Sequence, residues 1–182
     1  MLSVFYGKLN AVKFKNKRMS RQKGFTLVEL IIVIAIVAIL AGAIFVAIDP
    51  ARRLHEVRNA RRSGDIATIL DAIKKYQADN EGAHYINVEN MNFNLYYQIG
   101  TASTGCNRTC GIETTQSACV NLTDIGSNYL AVIPRDPKTG AATQTAYTLK
   151  KDSNGAITVV ACDAEGEGAG GSATAPSITI TR

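Results

Sequence analysis

The sequence lacks every motif by which catalysis is usually recognised. Its 182 residues include no tryptophan and two isolated histidines, His55 and His84. It has no nucleophile motif, no phosphate-binding loop and no helical pair of metal ligands. With 46 % hydrophobic residues and 15 glycines, the composition excludes a disordered acidic tail protein and a collagen-like fibre. We therefore expect a folded protein that is not an enzyme and has no cofactor.

Acidic residues are absent from residues 1–24, which carry seven of the 20 Lys and Arg residues. The formal net charge of the chain is +5, yet the remaining 158 residues contain 13 basic and 15 acidic residues. The basic character therefore belongs to the N-terminal leader. A basic protein suggests nucleic acid as a partner, but beyond the leader that suggestion rests on one Arg-rich helix and is kept as a secondary hypothesis.

Polar residues are scarce in residues 25–48, FTLVELIIVIAIVAILAGAIFVAI, where Thr26 and Glu29 are the clear exceptions. As a helix this segment would be ~36 Å long, enough to cross a hydrocarbon core of ~30 Å. It is longer than the ~7–15 apolar residues of a cleaved secretory signal. Since a basic leader stays in the cytoplasm, we expect one pass through the cytoplasmic membrane with the C-terminus outside.

The chain divides into a leader (1–24), an apolar helix (25–48), an amphipathic helix (49–79) and a globular head (80–182). Asp49 suits an N-cap and Pro50 a first helical turn, so the pair predicts that the helix restarts after a bend. Gly42 is a second weak point, because glycine lowers helix stability by about 1 kcal/mol relative to alanine.

The amphipathic helix has two contrasting sets of side chains. Its apolar positions are Leu54, Val57, Ile66, Ile69, Leu70, Ile73 and Tyr76. From Ile66 onward their spacings are three, one, three and three residues, which predicts one helical face that packs on the head. Its basic positions predict a solvated face or, alternatively, a contact with another subunit or an anionic ligand: Arg52, Arg53, Arg58, Arg61, Arg62, Lys74 and Lys75.

Strand-forming residues are concentrated late in the chain. Residues 129–133, 145–149, 156–161 and 177–181 are short and rich in β-branched or aromatic residues, so each predicts a strand. Asn154-Gly155 predicts a hairpin turn between the second and the third. The fold class is therefore α+β, with a long N-terminal helix packed on a small antiparallel sheet. Residues 164–176 predict a flexible loop.

The apolar run opens with Lys23-Gly24-Phe25-Thr26-Leu27-Val28-Glu29-Leu30. An unpaired acidic residue in a membrane helix is costly, so Glu29 requires a reason. With this motif, followed at once by a long apolar helix, the chain resembles the type IV pilin family, which includes the pseudopilins of secretion systems. The resemblance covers about 25 residues strongly and the rest more loosely. It implies a ladle-shaped subunit of a surface filament.

The resemblance also implies how the chain matures and assembles. A prepilin peptidase would cut after Gly24 on the cytoplasmic side and N-methylate Phe25. Glu29 would then pair with the amine of Phe25 in an adjacent subunit, on a pilus assembly platform. The apolar helices would bundle in the core of a helical homopolymer outside the cell. Gly42 and Pro50 would let the helix bend.

Other interpretations stay open at this point. A pseudopilin of a type II-like secretion system fits the same motif, and a minor or competence pilin would use the Arg-rich helix to bind DNA. A third is a single-pass membrane protein whose head binds or processes a ligand. Met19 begins a leader of sufficient length by itself, so the true start is either Met1 or Met19.

Four cysteines lie in the part expected to be exported, and an even number there favours two disulfides. We predict Cys119–Cys162, which would tie the loop region to the third strand, and Cys106–Cys110 as a local link. A zinc site formed by all four is the alternative, which the absence of paired C-x-x-C spacing disfavours.

The acidic residues Asp163, Glu165 and Glu167 alternate with small residues near the C-terminus. They are weak candidates for calcium ligands, as occurs in some pseudopilins. A solvated acidic loop is the favoured interpretation, and no other metal site is expected.

Overall fold

The computed structural model describes residues 24–182, so the predictions for the basic leader and for the start at Met19 lie outside the described residues. From Ile44 to Arg182 the chain forms one compact unit, here named the C-terminal unit. The apolar helix up to Ala43 belongs to the other.

The first helix, α1, spans Leu27–Ile48 and has no buried residue. Gly42 lies within it as an ordinary helical position. The part of the chain that the structure describes contains one helical stretch long and apolar enough to cross a membrane, and it includes α1.

The second helix, α2, spans Pro50–Asp79. The carboxylate of Asp49 accepts a hydrogen bond from the N–H of Arg52, and proline follows in the first turn, so the predicted restart is confirmed. Asp49 adopts a left-handed conformation (φ 46°) that separates the two helices. At the other end, the N–H of Asn80 donates to the carbonyl groups of Tyr76 and Gln77, which ends the helix at the predicted place.

The buried face of α2 extends further towards the N-terminus of the helix than predicted. Ile66, Ile69 and Ile73 are fully buried in the core, as expected. Leu54 and Val57, which precede the predicted face, are more than half exposed. At 3.6 residues per turn they are rotated by about 100° or more from the centre of the buried face. The residues that continue this face in the first half of α2 are polar: Asn59 and Arg62.

A four-stranded antiparallel sheet in the order β1-β4-β5-β6 packs against α2 and confirms the α+β class. Its strands are β1 (Tyr96–Gln98), β4 (Tyr147–Lys151), β5 (Ile157–Ala161) and β6 (Ile178–Thr181). A separate hairpin consists of β2 (Thr109–Cys110) and β3 (Glu113–Thr114). A short helix, α3, spans Ile86–Glu89.

The turn between β4 and β5 follows the Asn-Gly signal. Lys151 pairs with Ile157, which leaves a loop of residues 152–156. The carboxylate of Asp152 accepts hydrogen bonds from the N–H groups of Asn154 and Ala156. Gly155 has φ 81°, a conformation that favours glycine. The predicted hairpin is confirmed.

Residues 129–133 form no strand, so that prediction is wrong. The N–H groups of Tyr129 and Leu130 both donate to the carbonyl of Gly126, which makes a turn instead. The position beside β1 is occupied by another segment, because the N–H of Gln116 donates to Tyr96 and that of Val120 donates to Gln98. Proline at position 134 then limits any strand.

The disulfides are Cys106–Cys119 and Cys110–Cys162, so the expectation of two disulfides is confirmed and the predicted connectivity is wrong. The β2–β3 hairpin reverses the chain, and the N–H of Cys106 donates to the carbonyl of Ser117 at 2.9 Å, close to Cys119. Cys110 in β2 then faces the end of β5 and bonds Cys162. No cysteine is free, which excludes the zinc alternative.

Candidate processing and assembly site

The residues around the expected cleavage point are open to solvent. Among residues 24–182, no atom lies within 4 Å of a Cβ built on Gly24, and Phe25 is exposed. Regular helix begins two residues later, at Leu27. A protease acting between Gly24 and Phe25 would therefore meet an accessible peptide just before the helix.

Thr26 caps the start of α1. Its hydroxyl accepts a hydrogen bond from the N–H of Glu29 at 3.1 Å, and its carbonyl accepts one from the N–H of Leu30 at 3.2 Å. The spacing Thr-x-x-Glu is that of a capping box. It places Glu29 in the first turn, where the positive end of the helix dipole favours a carboxylate.

Glu29 is exposed, and none of the ion pairs among residues 24–182 includes it. It is the single acidic residue of α1. A carboxylate in an apolar surrounding is strongly stabilised by a cation. The first turn of α1 therefore presents an exposed carboxylate that can accept hydrogen bonds.

Residues 19–45 match a protein-family model, the prokaryotic N-terminal methylation motif. The chain carries the prepilin leader signature of type IV pilins and pseudopilins. The match begins at Met19 and extends into α1 past Gly42. Searches of curated proteins and of solved structures each found no match.

The C-terminal unit also contains a buried ion cluster, a group of charged side chains that joins α2 to two loops. Arg62 is 0 % exposed, and its guanidinium contacts both oxygens of Asp136 at 2.6 and 3.1 Å. It also donates to Glu165 at 3.0 Å and to Asn59 at 2.9 Å. Every buried side-chain polar atom among the described residues has a partner.

Glu165 is the other centre of this cluster. It accepts hydrogen bonds from Arg58 at 2.5 and 2.8 Å and from Lys138 at 2.9 Å. Hydrogen bonds from Arg58 hold the pKa of Glu165 far below its usual range, although burial opposes them. Burial raises the pKa of Asp136, but hydrogen bonds from Arg62 and two backbone N–H groups outweigh it and lower the pKa.

Hydrogen bonds hold the loop of residues 164–176 on α2, which overturns the prediction of a flexible loop. Asn59 donates to the carbonyl of Glu165 at 2.7 Å and accepts from its N–H at 3.0 Å. His55 contacts the carbonyl of Gly166 at 2.7 Å. The N–H of Gly170 donates to Asp49 at 2.7 Å, so the loop also contacts the α1–α2 junction.

The calcium candidates have other partners in this arrangement. Glu165 is surrounded by three cations, and Asp163 pairs with Arg108 at 2.6 Å. Glu167 accepts a hydrogen bond from Asn59 at 2.8 Å. Residues 24–182 contain no group of side chains arranged to hold a metal ion. Because protein cations neutralise Glu165 and Asp163, this arrangement does not favour calcium binding by these residues.

The basic side of α2 is less uniform than predicted. Arg62 is buried and Arg58 is tied to Glu165, so neither lies on a solvated face. Arg52 and Arg53 are exposed and pair with Glu56, while Arg61 lies 3.8 Å from Asp65. A nucleic acid binding to this side of α2 would have to compete with these carboxylates for the arginines.

Spacing alone could have revealed the ion cluster. Asn59, Arg62, Ile66, Ile69 and Ile73 follow one another at intervals of three and four residues, which is one helical face. A basic residue in line with core isoleucines requires a buried acidic partner. The predicted face began at Ile66, because only apolar residues were counted, so its polar end was missed.

Proposed function

We propose that this chain is a structural subunit of a type IV pilus-like surface filament. It is inserted in the cytoplasmic membrane with its leader inside, cleaved after Gly24 and N-methylated at Phe25. It then polymerises through α1, and the C-terminal units coat the outside. The observation that carries this proposal is the methylation motif at residues 19–45, which includes most of a helix with no buried residue.

The exposed apolar surface of α1 supports both stages of this life cycle. In a membrane its side chains contact lipid, and in a filament they contact other α1 helices. Both surroundings are apolar, so the hydrophobic cost of the transfer is small. Gly42 and the Asp49–Pro50 break give the helix two positions at which it can bend while it is packed.

Glu29 gives the bundle its register. After cleavage, Phe25 has a free α-amine, which is a cation near neutral pH even when methylated. An unpaired carboxylate in the bundle is destabilising, so each Glu29 selects the position where a neighbouring amine reaches it. The capped first turn holds the carboxylate where it is available for this contact.

The test is to shear surface fibres from producing cells, image them and identify their subunits by mass spectrometry. We expect fibres containing a chain that begins at N-methylated Phe25. A matched chain with Glu29→Gln should be processed equally and yield few fibres. Fibres without this chain, or a mature chain that still contains Gly24, would contradict the proposal.

A pseudopilin of a type II-like secretion system is the second candidate, because the same leader signature occurs in pseudopilins. The two are distinguished by the same preparation. Cells producing the chain at its normal level have long extracellular fibres if it is a pilin and lack them if it is a pseudopilin.

A further inference from the structure

The first half of α2 carries two apolar side chains on the side that faces away from the core. Leu54 is 57 % exposed and Val57 is 67 % exposed. Arg61 follows on the same side, with a side chain that is 64 % exposed and lies 3.8 Å from Asp65. Because a helix turns about 100° per residue, these three positions lie within about 60° of one another. Leu54, Val57 and Arg61 are here named the outer stripe.

A cleft of about 440 Å³ lies between α2 and β6. Its apolar lining includes Ile66, Ile178 and Ile180. Its charged residues are Glu56 and Glu167. Glu56 is paired with two arginines, whereas no ion pair among residues 24–182 includes Glu167. The cleft therefore suits an apolar surface that carries a cation.

The outer stripe and the cleft belong to different sides of the same helix. Glu56, Ala60 and Ser63 form part of the wall that α2 contributes to the cleft. The centre of this set lies about 130° around the helix axis from the centre of the outer stripe. One copy therefore cannot place its own outer stripe in its own cleft. Ala60 and Ser63 are small and exposed, which leaves room for a second helix to approach this wall.

The charge of the cleft decides which helix of a second copy fits it. The helix α1 offers an apolar surface, but its one charged residue is Glu29, so it has no cation for Glu167. The four residues of α3 include no basic residue. Among the described helices, the first half of α2 combines exposed apolar side chains with an arginine on one side.

We propose that the outer stripe of one copy packs into the cleft between α2 and β6 of the next copy. Leu54 and Val57 contact the apolar lining, and Arg61 pairs with Glu167. A helix bound in a groove uses anchors spaced by three, four and seven residues, as these are. Because the two surfaces differ, the contact repeats head to tail and produces an open helical polymer. This contact rests on the proposed filament, and it extends assembly from α1 into α2.

The test links the two surfaces covalently in the full chain. Val57→Cys is combined with Ser177→Cys, because Ser177 lines the cleft and is exposed. A bismaleimide with a short spacer is added, and the products are separated on reducing gels, so that the two native disulfides do not contribute. We expect a ladder of cross-linked oligomers, whereas each single-cysteine variant gives at most a dimer.

Lys75→Cys combined with Ser177→Cys is the matched control. Lys75 is exposed on the same side of α2 as Val57, but it lies five turns, or about 27 Å, further along the helix. This combination should give no ladder. An equal ladder from both combinations would show random collision and would overturn the contact.

An exchange of charges tests the ion pair between copies. In the chain with Val57→Cys and Ser177→Cys, Arg61→Glu and Glu167→Arg each place like charges together, so each should lower the cross-linked fraction about tenfold. The two changes together should restore it, because they recreate the pair in reverse. A change that only disturbed the fold would not be repaired in this way. A double variant as poor as the single variants would overturn the pairing.

The cross-link is measured in sheared fibres and in isolated membranes, so that its failure is separate from failure of the filament. A ladder specific to residue 57 in membranes supports the contact, even if no fibre forms and the filament proposal fails. Normal fibres without that ladder overturn the contact and leave the filament proposal intact. An outer stripe that only lies against lipid gives no ladder in either fraction, which also overturns the contact, as do cross-links to a protein of different mass.

Discussion

Replacing Arg62 by methionine should strongly destabilise the C-terminal unit. The change keeps an aliphatic side chain of similar length but removes four hydrogen bonds, two of them to Asp136. Asp136 is buried and would keep backbone N–H donors from Lys138 and Thr139 but no cation. Breaking a buried ion pair from one side costs about 3–5 kcal/mol. Glu165, which is 9 % exposed, keeps Arg58 and Lys138.

This loss is a large part of the stability of a domain, which is typically about 5–15 kcal/mol. For a unit of this size it corresponds to a fall in Tm of roughly 10–15 °C. The assay is denaturant and thermal unfolding of the full chain in detergent micelles with disulfides intact, followed by near-ultraviolet circular dichroism of the tyrosines. Arg61→Met is the matched control, because Arg61 is exposed and lies 3.8 Å from Asp65. It should cost less than about 1 kcal/mol.

Two further measurements test the cause. In the Arg62→Met chain, Asp136→Asn removes the unpaired charge and keeps an oxygen for the backbone donors, so it should restore about half of the lost stability.

The pKa values of Asp136 and Glu165 are both lowered in the folded chain. The two carboxylates therefore stabilise the folded chain above about pH 4, and this contribution to the free energy of unfolding is lost as the pH falls below that value. The gap between parent and Arg62→Met should shrink in that acid range. Equal losses for Arg62→Met and Arg61→Met would refute the reasoning.

The remaining predictions concern maturation, assembly and the disulfides. Glu29→Ala should leave membrane insertion and cleavage unchanged and reduce the fibre yield; an unchanged yield would contradict the pairing. Gly24→Asp should block cleavage, which is visible as a precursor of higher mass in membranes. Cys162→Ala should lower the free energy of unfolding by about 4 kcal/mol and Cys119→Ala by about 3 kcal/mol, because loop entropy grows with the closed span. The spans closed by the Cys110–Cys162 and Cys106–Cys119 disulfides are 52 and 13 residues. A larger loss for Cys119→Ala than for Cys162→Ala in urea unfolding would exclude loop entropy as the cause.

Local sequence rules predicted the parts of the fold that are decided locally. The Asp49–Pro50 restart, the Asn154-Gly155 hairpin and the end of α2 depend on a few neighbouring residues and their backbone preferences. The motif around Glu29 is also local, since a capping residue, a carboxylate and an apolar run are contiguous. These features could be derived without knowledge of tertiary contacts.

The wrong predictions for the disulfides and for the loop of residues 164–176 share one cause. Both features depend on contacts between segments that are distant in the sequence. Cys106 and Cys110 are close in sequence, but the hairpin between Cys110 and Cys119 turns the chain so that Cys106 meets Cys119 instead. The loop of residues 164–176 has the composition of a linker, yet Asn59 and Arg58 hold it. No window of neighbouring residues contains both partners of such a contact.

The missed strand at residues 129–133 differs from the other failures. Its residues do favour strand structure, but within one chain the neighbouring edge of the sheet is already occupied by residues 116–120. Two segments therefore compete for one edge of the sheet, and the strand preference of residues 129–133 is not realised in the folded chain.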